Sequence, residues 1–71
     1  MKITIEYCTS WNYKPRASGL EAELKKEFDA EVELIPGSGG VFIIHADGKQ
    51  IFSKHETGRF PNNGEIVALL R

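Results

Sequence analysis

Apolar and polar residues alternate from the start of the chain, with Ile3, Ile5 and Tyr7 separated by Lys2, Thr4 and Glu6. A period of two predicts a strand with one apolar and one polar face, ending near Cys8. Thr9, Ser10 and Asn12 are turn formers. Pro15, with its fixed φ and missing N–H, suits a first helical turn. The period then changes. Ala17, Leu20, Leu24 and Phe28 are spaced by three and four and form one stripe of a helix over about Pro15–Phe28. Glu21 with Lys25 supports that helix, and Glu23 with Glu27 opposes it.

Alternation returns in Glu31-Val32-Glu33-Leu34-Ile35, a second half-buried strand. Pro36-Gly37-Ser38-Gly39-Gly40 breaks it. Val41–His45 reads as a third strand, apolar on both faces. Asp47-Gly48 is a strong hairpin turn, and Gln50–Lys54 is the returning strand. Glu56–Pro61 reads as a loop. A last helix follows over Asn63–Leu70, with Asn62 or Asn63 as its cap and Ile66, Val67, Leu69 and Leu70 on its apolar side. The order β-α-β-β-β-α places an α/β (α+β) fold. The first two strands are parallel around a crossover helix, with the connection expected to be right-handed. The last two strands form a hairpin in a four-stranded mixed sheet. Two helices cover one face, and the polar alternation leaves the other face to water.

Size and charge narrow the chemistry. The 71 residues make a single domain, 1–71, whose core must be well packed or helped by association. One cysteine excludes an internal disulfide, and one Cys with two distant His residues, His45 and His55, does not make a structural zinc site. The net charge is −1 with both signs interleaved, so neither a nucleic-acid patch nor a charged tail is expected. No apolar leader run and no membrane-spanning stretch are present, and the expectation is a cytoplasmic protein whose thiol stays reduced.

Chemistry concentrates at Cys8, a thiol in a turn between a strand and a helix. Free backbone N–H groups and the positive helix end favour a thiolate there, with Lys14 and Arg16 adding charge. That reading makes Cys8 a partly exposed, acidic, nucleophilic or redox-sensing thiol. The rival reading is a small buried Cys at a strand end. In a C-x-x-C site the partner thiol would stand at position 11, where this chain has Trp11. Trp11 shields the loop or serves as a hydrophobic contact. The Pro36–Gly40 loop lacks the Lys-Ser/Thr of a P-loop and precedes a strand, so it is read as a tight turn or as backbone passing close to Cys8. His45 and His55 read as strand-end and surface residues, and Arg59-Phe60-Pro61 as a structural anchor with Phe60 beneath the last helix.

Four pieces in order resemble one family: Tyr7-Cys8 with Tyr13, Arg16 and Ala17; Pro36-Gly37-Ser38-Gly39-Gly40-Val41-Phe42; Asp47-Gly48 with Ile51–Lys54; and Thr57-Gly58-Arg59-Phe60-Pro61. The chain resembles the Rdx family, the selenoprotein T/W/H-like group typified by selenoprotein W, across nearly its whole length. The resemblance implies a thioredoxin-like fold and a thiol oxidoreductase linked to glutathione and to protein thiols, with no bound cofactor. It places Cys8 as the first member of a C-x-x-C or C-x-x-selenocysteine site. Tyr13, Arg16, Gly39, Gly40 and Phe60 support that site. Position 11 departs from the pattern. Selenocysteine is encoded by UGA, which is also read as Trp, so Trp11 is either a decoding product or a natural substitution at a site no longer needed.

Two functions follow. One is a redox protein whose single thiol, Cys8, forms mixed disulfides with glutathione or a protein. The other is a redox-inactive binding module that keeps the fold and uses Trp11 and the open sheet face to hold a protein partner.

Overall fold

Strand β1, Lys2–Cys8, buries Ile3, Ile5 and Tyr7 in the computed structural model, which describes all 71 residues, Met1–Arg71. It runs through the middle of a four-stranded mixed sheet of order β2-β1-β3-β4. Strand β2, Glu31–Gly37, is parallel to β1, while β3, Phe42–Ala46, and β4, Lys49–Ser53, continue the sheet antiparallel. The parallel pair is joined by helix α1, Lys14–Glu27, as the crossover pattern requires.

Register explains the core. Ile3 stands beside Val32, Ile5 between Leu34 and Ile44, Tyr7 beside Phe42, and Ile44 beside Phe52. These residues form one apolar face. Ala17 and Leu24 of α1 and Ile66 and Val67 of the last helix pack into the same cluster, so both helices cover that face. Thr4, Glu6, Ile35, Ile43 and His45 occupy the other face and are half-buried, uncovered by any helix. No helix is long and apolar enough to cross a membrane.

The hairpin turn is as the dipeptide predicts. Asp47 and Gly48 both have positive φ, 51° and 84°, the signature of a two-residue turn matched to strand twist. Beyond it, Ile44 pairs with Phe52 but His45 pairs with Gln50, so Ile51 is an extra residue in β4.

Most boundaries shift by one or two residues from the sequence expectation, β2 running on through Pro36 and Gly37, and the larger differences lie after β4. The returning strand stops at Ser53, and Lys54–Thr57 forms a one-turn helix, α2, in place of strand end and loop. The Thr57 hydroxyl donates to the Ser53 carbonyl at 3.0 Å, and Gly58 closes the turn at φ 75°. The last helix, α3, covers Glu65–Leu70 and does not begin at Asn63. Its cap position is Gly64 at φ 79°, so neither Asn62 nor Asn63 caps it by side chain.

Candidate functional site

The turn after β1 is built from backbone. Asn12 N–H donates to the Thr9 carbonyl at 3.3 Å, and Tyr13 N–H reaches back to the Cys8 carbonyl at 3.2 Å. Asn12 takes φ 58°, a left-handed conformation that Asn tolerates better than most residues. The turn is then tied to the glycine-rich loop. Cys8 N–H donates to the Val41 carbonyl at 2.9 Å and Thr9 N–H to the Gly37 carbonyl at 3.2 Å. The expected close passage of that loop beside Cys8 is therefore present.

Cys8 is fully buried, which corrects the expectation of a partly exposed thiol. It lies outside the apolar cluster and is enclosed by the two loops that meet at the strand end. Burial pushes its pKa up. The backbone N–H groups of Gly40, Trp11 and Ser10 are directed at the sulfur and outweigh burial, so the thiol lies below its ordinary value. The source of acidity differs from that expected: backbone amides supply it, not Lys14 or Arg16. A concave set of N–H donors of this kind stabilises an anion.

Gly40 is required twice over. Its φ is 75°, and a Cβ there would stand 2.6 Å from Cζ3 of Trp11. The indole lies directly on this glycine while remaining 62% exposed. Gly39, at φ 71°, shapes the same bend without touching the turn.

From Trp11 a chain of edge-to-face aromatic contacts runs into the protein. Trp11 and Tyr13 centroids are 6.1 Å apart, Tyr13 and Phe60 4.7 Å, and Phe60 and Phe42 5.2 Å. Arg16 lies 4.2 Å above the Phe60 ring. The structure thus brings Cys8, Trp11, Tyr13, Arg16, Gly40 and Phe60 into one region, with Gly39 at its edge. Lys54 belongs there too, 5.4 Å from the Phe60 ring and 5.8 Å from Tyr13. Sequence reasoning missed it because a Lys ending a strand carries no signal of the helical turn that aims it.

Phe60 is held by the anchor behind it. Arg59 makes a two-pronged ion pair with Glu65, at 2.7 and 3.0 Å, and donates to the Phe60 carbonyl at 3.1 Å. The Glu65 carboxylate also accepts the Asn62 N–H at 2.9 Å. The Arg59 guanidinium and that N–H hold Glu65 down at about 2. His45 and His55 join no metal-binding cluster.

A family model described as the Rdx family matches residues 2–71. A selenoprotein W-related protein from Vibrio cholerae has a similar crystal structure, with a TM-score of 0.93 at 33% identity, covering 99% of this chain and 91% of its own. A protein from Bordetella parapertussis gives 0.94 at 37% identity, covering 99% and 92%. Migration and invasion enhancer 1 is 29% identical in Bos taurus and 31% in Mus musculus. The matches cover 100% and 97% of this chain, which spans only 63% and 61% of those curated relatives.

Proposed function

This chain belongs to the Rdx family, and from that premise we propose that it is a thioredoxin-like redox module working through one thiol, Cys8. The observation that carries the reading is the place of Cys8, at the junction of the β1–α1 turn and the Gly37–Val41 loop, where the backbone N–H groups of Gly40, Trp11 and Ser10 lower its pKa. They favour the thiolate over the neutral thiol, and thiolate is the species that attacks a disulfide. With no second cysteine, the reaction stops at a mixed disulfide. The Cys8 thiolate attacks one sulfur of glutathione disulfide or a protein disulfide. A new S–S bond forms, the old one breaks, and the leaving thiolate takes up a proton. Release needs a second thiol from solution.

Because Cys8 is buried, the turn must open before attack. The Cys8 and Thr9 N–H bonds to Val41 and Gly37, at 2.9 and 3.2 Å, the Asn12 and Tyr13 N–H bonds within the turn, at 3.3 and 3.2 Å, and the indole-glycine contact hold it closed. Mass spectrometry after glutathione disulfide treatment tests the reading. The expected product is one adduct per folded chain, on Cys8, absent in Cys8→Ser. No adduct until the chain unfolds would end it. The buried thiol beside an exposed Trp11 favours the second reading, a binding module without redox chemistry, and that outcome would select it.

A further inference from the structure

A groove of about 310 Å³ lies between the Pro15–Glu23 side of α1, the helix that follows the thiol turn, and the Phe60–Asn63 segment. Three separate features describe what fits it. The first is Gly19, which lines the groove in mid-helix. Glycine is among the worst helix formers, and nothing in this fold asks for one here. A Cβ at Gly19 would meet no atom within 4 Å. That side of the helix is open.

The second feature is charge. The ion pairs of this molecule are made by Lys2, Lys25, Arg59 and Arg71. Lys14, Arg16, Lys26, Lys49 and Lys54 have no carboxylate partner, and of these Arg16 lines the groove. Arg16 and Lys54 are instead held against the rings of Phe60 and Tyr13, next to the turn that carries Cys8. The first turn of α1 has no acidic residue to neutralise them. Glu23 is the one carboxylate of the groove, seven residues along the helix from Arg16 and so about 10 Å farther from the thiol end. The third feature is the pair Asn62 and Asn63. Both residues line the groove and are exposed, so their side-chain amides offer donors and acceptors of the kind an extended backbone uses.

We propose that this groove receives an extended, acidic polypeptide segment, its carboxylates set close to the disulfide sulfur that Cys8 attacks, with Arg16 and Lys54 selecting them and Gly19 giving the backbone room. The proposal rests on the thiol reading above for its chemistry, though not for its binding.

The probes are three short peptides with a single cysteine flanked by Glu, Ser or Lys, each carried as a thiopyridyl mixed disulfide. The Cys8 thiolate attacks the peptide sulfur, a Cys8–peptide disulfide forms, and thiopyridine leaves with the electron pair of the broken S–S bond. No other oxidant enters. At low ionic strength the Glu peptide is expected to react about tenfold faster than the Lys peptide, the ratio collapsing toward unity at about 0.5 M salt. Arg16→Gln and Lys54→Gln should each shrink that ratio. Gly19→Leu, a better helix former that fills the groove, should slow the peptides more than it slows a small neutral dithiopyridine.

A second arm uses the Glu peptide with Ser in place of Cys, titrated against the labelled protein by NMR. The expected amide shifts centre on Gly19, Asn62 and Asn63. If dithiopyridine fails to label Cys8, the thiol reading falls while this arm still decides the docking. Equal rates for the three peptides, shifts confined to the open sheet face, or peptide rates untouched by Gly19→Leu would overturn the proposal. The same holds if glutathione disulfide shows the full charge preference by itself, since the cations would then read small carboxylates without the groove.

Discussion

Helices α1 and α3 begin in opposite ways. At α3, Glu65 stands in the first turn, caps the Asn62 N–H and pairs with Arg59 through two hydrogen bonds. Its charge has the sign that the helix end favours. At α1, the first turn carries Lys14 and Arg16, no acid, and no side-chain cap at Tyr13. Those charges have the sign that the helix end disfavours. The two starts meet through Phe60, which lies under Arg16 and follows directly on Arg59. One end is closed electrostatically and holds the ring in place. The other is left open and electropositive around a thiol that already has three N–H donors. The contrast sets a helix start where charge and helix dipole agree beside one where they oppose each other.

The largest expected change comes from giving the open end a second thiol. Trp11→Cys places it where its own backbone N–H already points at the Cys8 sulfur. Cys8 attacks the target disulfide and the introduced thiol resolves the mixed disulfide. Wild type should stop at the adduct with glutathione, and the variant should reduce insulin over many cycles in the presence of a reductant. Equal turnover in both would show that Trp11 never limited the chemistry. A folded variant that cannot close the disulfide would show that the turn has left redox geometry.

Next comes the core that both ends share. Leu24 is fully buried, and Leu24→Ala should cost about 2–5 kcal/mol in urea unfolding. Phe28, half-buried at the end of α1, should cost less than Leu24 when truncated. Neither should alter the acidity of Cys8 in the folded protein, because its donors come from two loops and not from the helix interior. A thiol midpoint that moves with Leu24 would blur the contrast between end and core.

The smallest effect belongs to the closed end. Glu65 falls from its ordinary 4.5 to about 2 on folding. A folded pKa below the unfolded one contributes stability that is present above about 4.5 and is lost as pH falls toward about 2. Glu65→Gln should therefore lower the unfolding midpoint at neutral pH, and the gap between variant and wild type should close as pH falls through that window. A gap independent of pH would mean that the Arg59 pair contributes shape and no charge.

Much of this was legible in the residues. Alternation marked β1 and β2, the three-and-four spacing marked α1, and Asp47-Gly48 marked the hairpin. What escaped had no periodic signal. Ile51-Phe52 is apolar on both sides, so nothing announced that Ile51 is a bulge. Lys54–Thr57 has no apolar stripe, and its turn closes through the Thr57 hydroxyl and the left-handed Gly58. Gly64 resembles a helix residue until its φ of 79° is known. At the site, the family pattern drew attention to Cys8, Tyr13, Arg16, Gly40 and Phe60. Sequence left open whether Cys8 is buried or partly exposed, and the Gly37–Val41 loop, some thirty residues away and bonded to the Cys8 and Thr9 N–H groups, decides for burial. Charge near Cys8 in sequence suggested Lys14 and Arg16 as its acidifying neighbours. The groups that do this are main-chain amides, which every residue has and no sequence pattern displays.

The claim that those amides make Cys8 a working thiol is tested most directly by its alkylation rate as a function of pH, measured on the folded protein beside an unfolded peptide of the same turn sequence. The account predicts a plateau reached at lower pH for the protein than for the peptide, with a slower absolute rate because the turn must open. A midpoint at or above that of the peptide, or labelling that appears only as the chain unfolds, would contradict it.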